Sequence, residues 1–171
     1  QLGTSTDDYG YEVSVCSSDN IYVTGYTGGS LDGNNTSGGD DMILIKYNPS
    51  GEKQWTKQLG TFSSEKGFGV TVSSDNIYVT GWTYGGLDGR TNLKSNDLFL
   101  VKYNSSGVKQ WVKQLGTDSD EEGFSITSDS SNNLYITGYT EGGLDNNTNS
   151  GGRDIFLVKY NSSGTKQWTQ Q

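Results

Sequence analysis

The chain repeats itself three times, and this repetition restricts its possible folds more than any other feature. The tetrapeptide Gln-Leu-Gly-Thr at residues 1–4 returns at 58–61 and 114–117, with spacings of 57 and 56 residues. The segments Ile-Tyr-Val-Thr-Gly at 21–25 and Lys-Gln-Trp at 53–55 recur with the same period. A period of this length indicates an array of similar units that bury their apolar side chains against one another.

The copies span residues 1–57, 58–113 and 114–170, and Gln171 would begin a further copy. The chain therefore starts and stops in phase with its repeat. It has neither an initiator methionine nor a signal-peptide pattern, from which we expect a processed or excised chain.

Each copy reads as four β-strands. In the first copy the predicted strands are residues 10–16, 21–27, 41–47 and 52–59, with one long loop at 28–40. The third strand is apolar on both faces, with Met42 and Leu44 on one face and Ile43 and Ile45 on the other. A strand with one wet face would alternate, so we expect each sheet to be covered on both sides. Face-to-face stacking of four-stranded sheets is the arrangement of β-propeller blades.

Two segments carry a family resemblance. Tyr-Val-Thr-Gly-Tyr-Thr at 22–27 and Leu-Val-Lys-Tyr-Asn-Ser-Ser-Gly at 100–107 resemble the SBBP family of bacterial, seven-bladed β-propeller repeats. The resemblance extends over all three copies, and it implies propeller blades and an extracellular or cell-surface location without a defined activity. The segment 106–111, Ser-Gly-Val-Lys-Gln-Trp, is also similar to the tryptophan-docking turn of quinoprotein propellers, with no match to a quinone or metal site.

The predicted fold is all-β, with three four-stranded antiparallel sheets and about 12 strands. Three blades are too few to close a ring, because propellers have four to eight. Three arrangements remain open: a part of a larger propeller, a ring completed by other copies, or an open array whose ends stack on identical neighbours.

Composition argues against several functions. Histidine is absent, which removes the commonest general base, and Cys16 is the single cysteine, which excludes a disulfide framework and a cysteine-rich zinc site. The net charge of −8 disfavours nucleic-acid binding. No apolar run approaches the roughly 18 residues of a membrane helix. We therefore predict a protein that is not an enzyme, needs no cofactor and has no transmembrane segment.

The acidic residues cluster in the connections that would share one end of the blades. The loops between blades and the long loops within blades hold 15 of the 20 acids and four of the 12 bases. If the fold is right, this end carries a net charge of −11 and the rest of the chain +3.

Oxygen-rich side chains in the long loops form a candidate calcium site, since Ca²⁺ prefers oxygen ligands. The candidates are Asp32, Asn34, Asp40, Asp41, Asp88, Asn92, Asp97, Asp145, Asn147 and Asp154. Their spacing does not match the EF-hand loop. The competing interpretation is that these side chains cap turns in solvated loops.

Three aromatic residues, Tyr26, Trp82 and Tyr139, end the second strand of each copy beside the long loops. An exposed ring there could stack on a sugar, whereas a buried ring would pack between blades.

These features predict a non-enzymatic extracellular scaffold, structural or interacting, built from β-propeller repeats. Its concrete forms are a self-assembling filament, a surface-layer subunit or a segment of a larger array. Expected partners are identical or similar repeats, with glycans or surface proteins as further candidates. The alternative is a calcium- or carbohydrate-binding propeller, similar to a lectin or adhesin, that uses the acidic loops.

Overall fold

The computed structural model describes residues 2–89 and 95–171. Within these residues the chain forms strands and two short 3₁₀ turns, Leu87–Gly89 and Leu144–Asn146. The strands are β1 (Asp8–Val15), β2 (Ile21–Thr27), β3 (Asp41–Tyr47), β4 (Lys53–Leu59), β5 (Glu65–Ser73), β6 (Asn76–Thr83), β7 (Asp97–Asn104), β8 (Lys109–Leu115), β9 (Glu121–Ser128), β10 (Leu134–Thr140), β11 (Asp154–Tyr160) and β12 (Lys166–Gln170). The all-β prediction is confirmed.

The strands form three antiparallel sheets in which each strand pairs with the next along the chain. The sheets are β1–β4, β5–β8 and β9–β12, and we refer to them as the first, second and third blades. The first strand begins at Asp8, two residues before the predicted start, because Asp8 pairs with Thr27 across the hairpin. A bulge between Gly10 and Glu12 then shifts the register of β1 against β2.

The middle blade is covered on both faces, as the two-faced apolar pattern predicts. Phe99 and Val101 of β7 lie in the core between the first and second blades, beside Met42 and Leu44. Leu98 and Leu100 point to the opposite side and lie in the core between the second and third blades, beside Phe156. Successive residues of β7 thus serve two cores, which explains why this strand has no polar face.

Each outer blade has one face on which no further blade packs among the described residues. The amino-terminal face, on the first blade, includes Val13 and Val15, which are 61% and 58% exposed. The carboxyl-terminal face, on the third blade, includes Ile155 and Leu157, which are 78% and 39% exposed. The expectation of coverage on both sides therefore holds for the second blade, while the outer blades lack a neighbour on one side.

Backbone hydrogen bonds between loops join adjacent blades. The amide of Glu65 donates to the carbonyl of Asp40 at 2.6 Å, and the amide of Glu121 donates to the carbonyl of Asn96 at 2.7 Å. Each bond links the start of one blade's first strand to the long loop of the blade before it. Across residues 2–89 and 95–171, no helix is long and apolar enough to cross a membrane.

Candidate functional site

One set of predicted calcium ligands ties each long loop to the fourth strand of its own blade. Asp32 forms an ion pair with Lys53 and accepts a hydrogen bond from Thr56 Oγ1 at 2.5 Å. The same ion pair recurs between Asp88 and Lys109, and between Asp145 and Lys166. Because these lysines lie on the strands rather than in the loops, the ion pairs neutralise part of the charge that the sequence segregates.

A second set binds a glutamine from the repeated tetrapeptide. The side-chain amide of Gln58 donates to Asp41 Oδ2 at 2.7 Å and to the carbonyl of Gly29 at 3.0 Å. Its oxygen accepts from the amide of Leu31 at 3.2 Å. Gln114 makes the same three contacts with Asp97, Gly85 and Leu87, and Gln171 makes them with Asp154, Gly142 and Leu144. Gln58, Gln114 and Gln171 thus each bind the long loop of the blade that precedes them.

The other predicted ligands also have partners within the protein. The side-chain amides of Asn34 and Asn147 donate to the carbonyls of Leu31 and Leu144 at 2.8 and 2.7 Å. Asp40 pairs with Lys66 of the next blade at 3.0 Å. Asn92 lies outside the described residues.

Among the described residues, no three histidine, cysteine, aspartate or glutamate side chains form a group that could hold a metal ion. The pairings above bring each predicted ligand other than Asn92 to a lysine, a glutamine or a backbone group. Calcium binding at these positions stays a prediction.

The rings predicted to stack on sugars lie beside cationic side chains. Tyr26 is 8% exposed, and Lys66 Nζ of the second blade stands 3.9 Å from its ring centre. Tyr139 is also 8% exposed, and the Arg153 guanidinium stands 4.1 Å from its ring centre. Trp82 is half-buried, with Lys66 Nζ 5.8 Å from its ring. Carbohydrate stacking on these rings also stays a prediction.

Sequence reasoning missed a carboxylate that anchors the start of each blade and is fully buried in the second and third blades. Glu65 is fully buried, and its carboxylate accepts hydrogen bonds from the amide and hydroxyl of Thr61 and from the hydroxyl of Thr83, at 2.5, 2.8 and 2.7 Å. Glu121 and Asp8 occupy the same position in the other blades, with equivalent threonine partners. The signal was present, because every copy has an acid four residues after the threonine of its tetrapeptide.

Burial changes the acidity of these carboxylates. Desolvation raises the pKa of Glu65 and of Glu121, against the hydrogen bonds from threonine, and the nearby Asp41 and Asp97 raise each pKa further. Asp8 lies on the uncovered first blade. There the hydrogen bonds from Thr27 and Thr4 outweigh desolvation, so the pKa of Asp8 is lowered. The carboxylate at this position therefore has a raised pKa in the second and third blades and a lowered pKa in the first, where it is less buried.

A tryptophan on the fourth strand receives a turn from the next blade. Gly107, in the turn between β7 and β8, lies against the indole ring of Trp55, and Gly164 lies in the same way against Trp111. A lysine supports each contact: Lys46 Nζ donates to the carbonyl of Ser105, and Lys102 Nζ donates to that of Ser162, both at 3.4 Å. The repeated tryptophan therefore takes part in both internal blade junctions.

The same two parts meet no partner blade on the outer faces of the first and third blades, among the described residues. Trp168 is 38% exposed on the carboxyl-terminal face. A Cβ at Gly51, in the corresponding turn of the first blade, would meet nothing within 4 Å among the described residues. One end of the chain thus presents a docking ring and the other presents a docking turn.

Known proteins are similar in sequence to this chain of stacked four-stranded blades and repeated turn-and-tryptophan junctions. The model of a family described as a β-propeller repeat, SBBP, matches residues 1–32 and 110–145. These matches are consistent with an SBBP-type repeat family. The two matches lie in the first repeat and across the second and third, and they confirm the resemblance seen in the sequence.

Two curated relatives share similarity with these SBBP-type repeats. One is an uncharacterised WD repeat-containing protein of Acanthamoeba polyphaga mimivirus, 27% identical over 161 residues that cover 77% of this chain. The other is the regulatory protein FlaEY of Caulobacter vibrioides, 27% identical over 149 residues that cover 80% of this chain. The chain spans 12% and 16% of the lengths of these relatives.

Proposed function

We propose that this chain is a non-enzymatic structural or interaction scaffold whose two uncovered faces dock further SBBP-type blades. The observation that carries the proposal is an equivalence between surfaces. Side-chain positions that bury the two internal junctions recur on the amino-terminal and carboxyl-terminal faces. On the amino-terminal face Val13 and Val15 meet solvent, whereas Ile43 and Ile45 are covered by Leu2 and Leu31 of the same blade.

Matching positions in the three blades differ in solvent exposure according to whether a neighbouring blade covers them. Val70 and Ile126 are 3% and 5% exposed at the internal junctions, whereas Val13, the matching residue of the first blade, is 61% exposed. On the opposite side of the blade, Leu44 and Leu100 are fully buried, whereas the matching Leu157 is 39% exposed. Each end therefore presents exposed side chains at positions that are buried at both internal junctions.

Exposure of these side chains has an energetic consequence. Full burial of an aliphatic side chain stabilises a protein by about 1.5–3 kcal/mol, and contiguous apolar patches on a surface mark interaction sites. In repeat arrays, stability comes from each unit and from its contact with its neighbour. Docking of a further blade would therefore stabilise the third blade as the second now does.

The proposal includes a location outside the cell or at its surface, which the family resemblance supports. Antibody labelling of intact and permeabilised cells of the source organism tests it. Labelling of intact cells is expected, and labelling only after permeabilisation would contradict it.

The docking function is tested by adding a fourth blade. Residues 115–171 are appended after Gln171, which places the Glu122 copy opposite Arg153. We expect one cooperative urea transition and a free energy of unfolding raised by about 2 kcal/mol or more. The matched control carries Ile155→Lys in the original third blade and should lose that gain. Two separate transitions with no added stability in the parent four-blade chain would contradict the proposal.

A further inference from the structure

We infer that the carboxyl-terminal face binds the amino-terminal face of a second copy of this chain. This inference rests on the proposed function and adds the identity of the partner. Three independent contacts of the internal junctions can form again between two copies, and in each case the residues present are complementary.

The first contact is the docking turn. In a second copy, residues 48–51 would present Gly51 to Trp168, as Gly107 is presented to Trp55. The supporting lysine would be Lys159, which lies 5.2 Å from the ring centre of Tyr135, as Lys46 lies 5.7 Å from that of Tyr22. Its acceptor would be the carbonyl of Pro49. The contact uses only a backbone oxygen at this position, so proline can replace the serine of the other copies.

The second contact is a series of aromatic rings along the first strands. Tyr11 meets Phe68 edge to face with a centroid distance of 4.7 Å, and Phe68 meets Phe124 at 5.6 Å. Tyr11 and Phe124, at the two ends of the series, are each about half exposed. Docking of a second copy would bring its Tyr11 to Phe124 and continue the series across the new junction, with the edge-to-face preference of such rings.

The third contact is a polar pair that differs at each junction. Asp40 of the first blade pairs with Lys66 of the second, and the side-chain amide of Asn96 donates to Glu122 of the third at 3.0 Å. The backbone amide of Asn96 also donates to Asp120 Oδ1 at 2.9 Å. The third blade has Arg153 at the position of Asp40 and Asn96.

In a second copy the residues opposite Arg153 would be Asp7 and Tyr9, which match Asp120 and Glu122. An arginine is attracted both to a carboxylate and to the face of a tyrosine ring. Arg153 already lies on an aromatic ring, that of Tyr139, and beside Glu141. The positive charge of Arg153 therefore favours a partner blade that presents Asp7 and Tyr9, as the first blade does. It disfavours a blade that presents a lysine, as the second blade does with Lys66.

Two copies bring six blades together, a number within the four to eight blades of closed propellers. The contact is heterologous, because one face of each copy meets the other face of its partner. The result is a closed pair if the rotation between blades completes a ring, and an open filament if it does not.

Sedimentation velocity of the 171-residue chain over a range of concentrations tests the inference with two single-face variants. Ile155→Lys places a charge on the carboxyl-terminal face, and Val13→Lys does so on the amino-terminal face. Both side chains are mostly exposed in the single chain, so both variants should fold. Each variant alone should associate at least about tenfold more weakly than the parent, because docking would bury the new charge.

The two variants mixed at equal concentration should form a one-to-one dimer, since each supplies the face that the other lacks. The matched control is Phe62→Lys, which changes a 97% exposed side chain outside both faces and should associate like the parent. Dimers and filaments of the parent chain both support the inference, provided that the mixture of the two variants forms the one-to-one dimer. A parent that stays monomeric, or a mixture that does not pair, overturns it; gained stability in the four-blade chain would then leave the proposed function standing.

Discussion

Gly107 lies against the indole ring of Trp55, where a Cβ atom would come within 3.1 Å of the ring and 2.6 Å of Lys57 Cε. Its φ of 75° is a conformation that side chains other than glycine rarely adopt. Glycine is thus required at this turn both for its backbone and for the close approach of the next blade. Gly51 has a nearly identical φ of 79° and no such neighbour.

Substitution of these two glycines distinguishes the stability lost through impaired docking from the stability lost through backbone strain. Gly107→Ala should destabilise the chain by the cost of positive φ, about 1 kcal/mol, and further by displacement of Trp55 and Lys57. Gly51→Ala should show the backbone cost alone, about 1 kcal/mol. Urea unfolding of both variants at a concentration where the chain is monomeric measures the difference, and equal losses would show that the turn does not bear on the tryptophan.

The glutamine of the repeated tetrapeptide should contribute more to the stability of the fold than its polar surroundings suggest. Gln114→Ala removes one hydrogen bond from each of Leu87 N, Gly85 O and Asp97 Oδ2 in a single change. Each such hydrogen bond contributes about 0.5–1.5 kcal/mol, so a loss of about 2 kcal/mol or more is expected. Gln110→Ala, an exposed change in the same strand, is the control. A thermal shift no larger than that of the control would contradict the role assigned to Gln114.

Buried glutamates predict that stability falls as the pH rises from mild acid. Because the folded-state pKa of Glu65 and Glu121 is raised above 4.5, the folded chain holds these protons more tightly than the unfolded chain. Their contribution is complete below pH 4.5 and is lost as the pH rises through the folded pKa. Replacement of both residues by glutamine should flatten the unfolding free energy between pH 4.5 and 7.

The matching residue of the first blade supplies the contrast. The pKa of Asp8 is lowered from 3.8, so its contribution is present above that pH and is lost as the pH falls through the lower folded value. Asp8→Asn should therefore reduce stability at neutral pH and leave the slope between pH 4.5 and 7 unchanged. A slope in the double glutamine variant as steep as in the parent would count against buried glutamates as its source.

The ion pairs of the long loops give a separate prediction about calcium. Asp32→Asn removes a partly exposed pair with Lys53, for which a loss of at most about 1 kcal/mol is expected. If Asp32 serves the loop alone, the loss is the same in millimolar Ca²⁺ and in chelator. A melting temperature that rises with Ca²⁺ in the parent and not in the variant would instead establish a calcium site.

The repeat and the two-faced apolar strands were enough to predict three four-stranded sheets. Leu98 and Phe99 show why: adjacent residues in a strand point to opposite faces, so two neighbouring apolar residues require two cores. The tetrapeptide was recognised as a repeat marker, but its role was not. Gln58 contacts Asp41, Gly29 and Leu31 across a loop. A local sequence pattern does not predict a hydrogen bond between residues that are 29 positions apart.

The partners of the acidic residues were equally hidden. Asp32 and Glu65 are both acids in loop-rich segments. Asp32 pairs with a lysine on a strand, whereas Glu65 is buried and accepts hydrogen bonds from threonine hydroxyls. The partner that each acid meets is a property of the tertiary packing. Comparison of Asp8 with Glu65 makes this plain, since the same position is partly open in the first blade and fully buried in the second.

The most direct test of the account is the solvent accessibility of the carboxyl-terminal face, measured by hydroxyl-radical labelling of the three-blade and four-blade chains under conditions where both are monomeric. With the fourth blade present, labelling of Ile155, Leu157 and Trp168 should fall to the level of Leu98, Leu100 and Trp111. Labelling of Val13, on the opposite face, should not change. Equal labelling of Ile155 and Leu157 in the two chains would contradict the claim that this face docks a further blade.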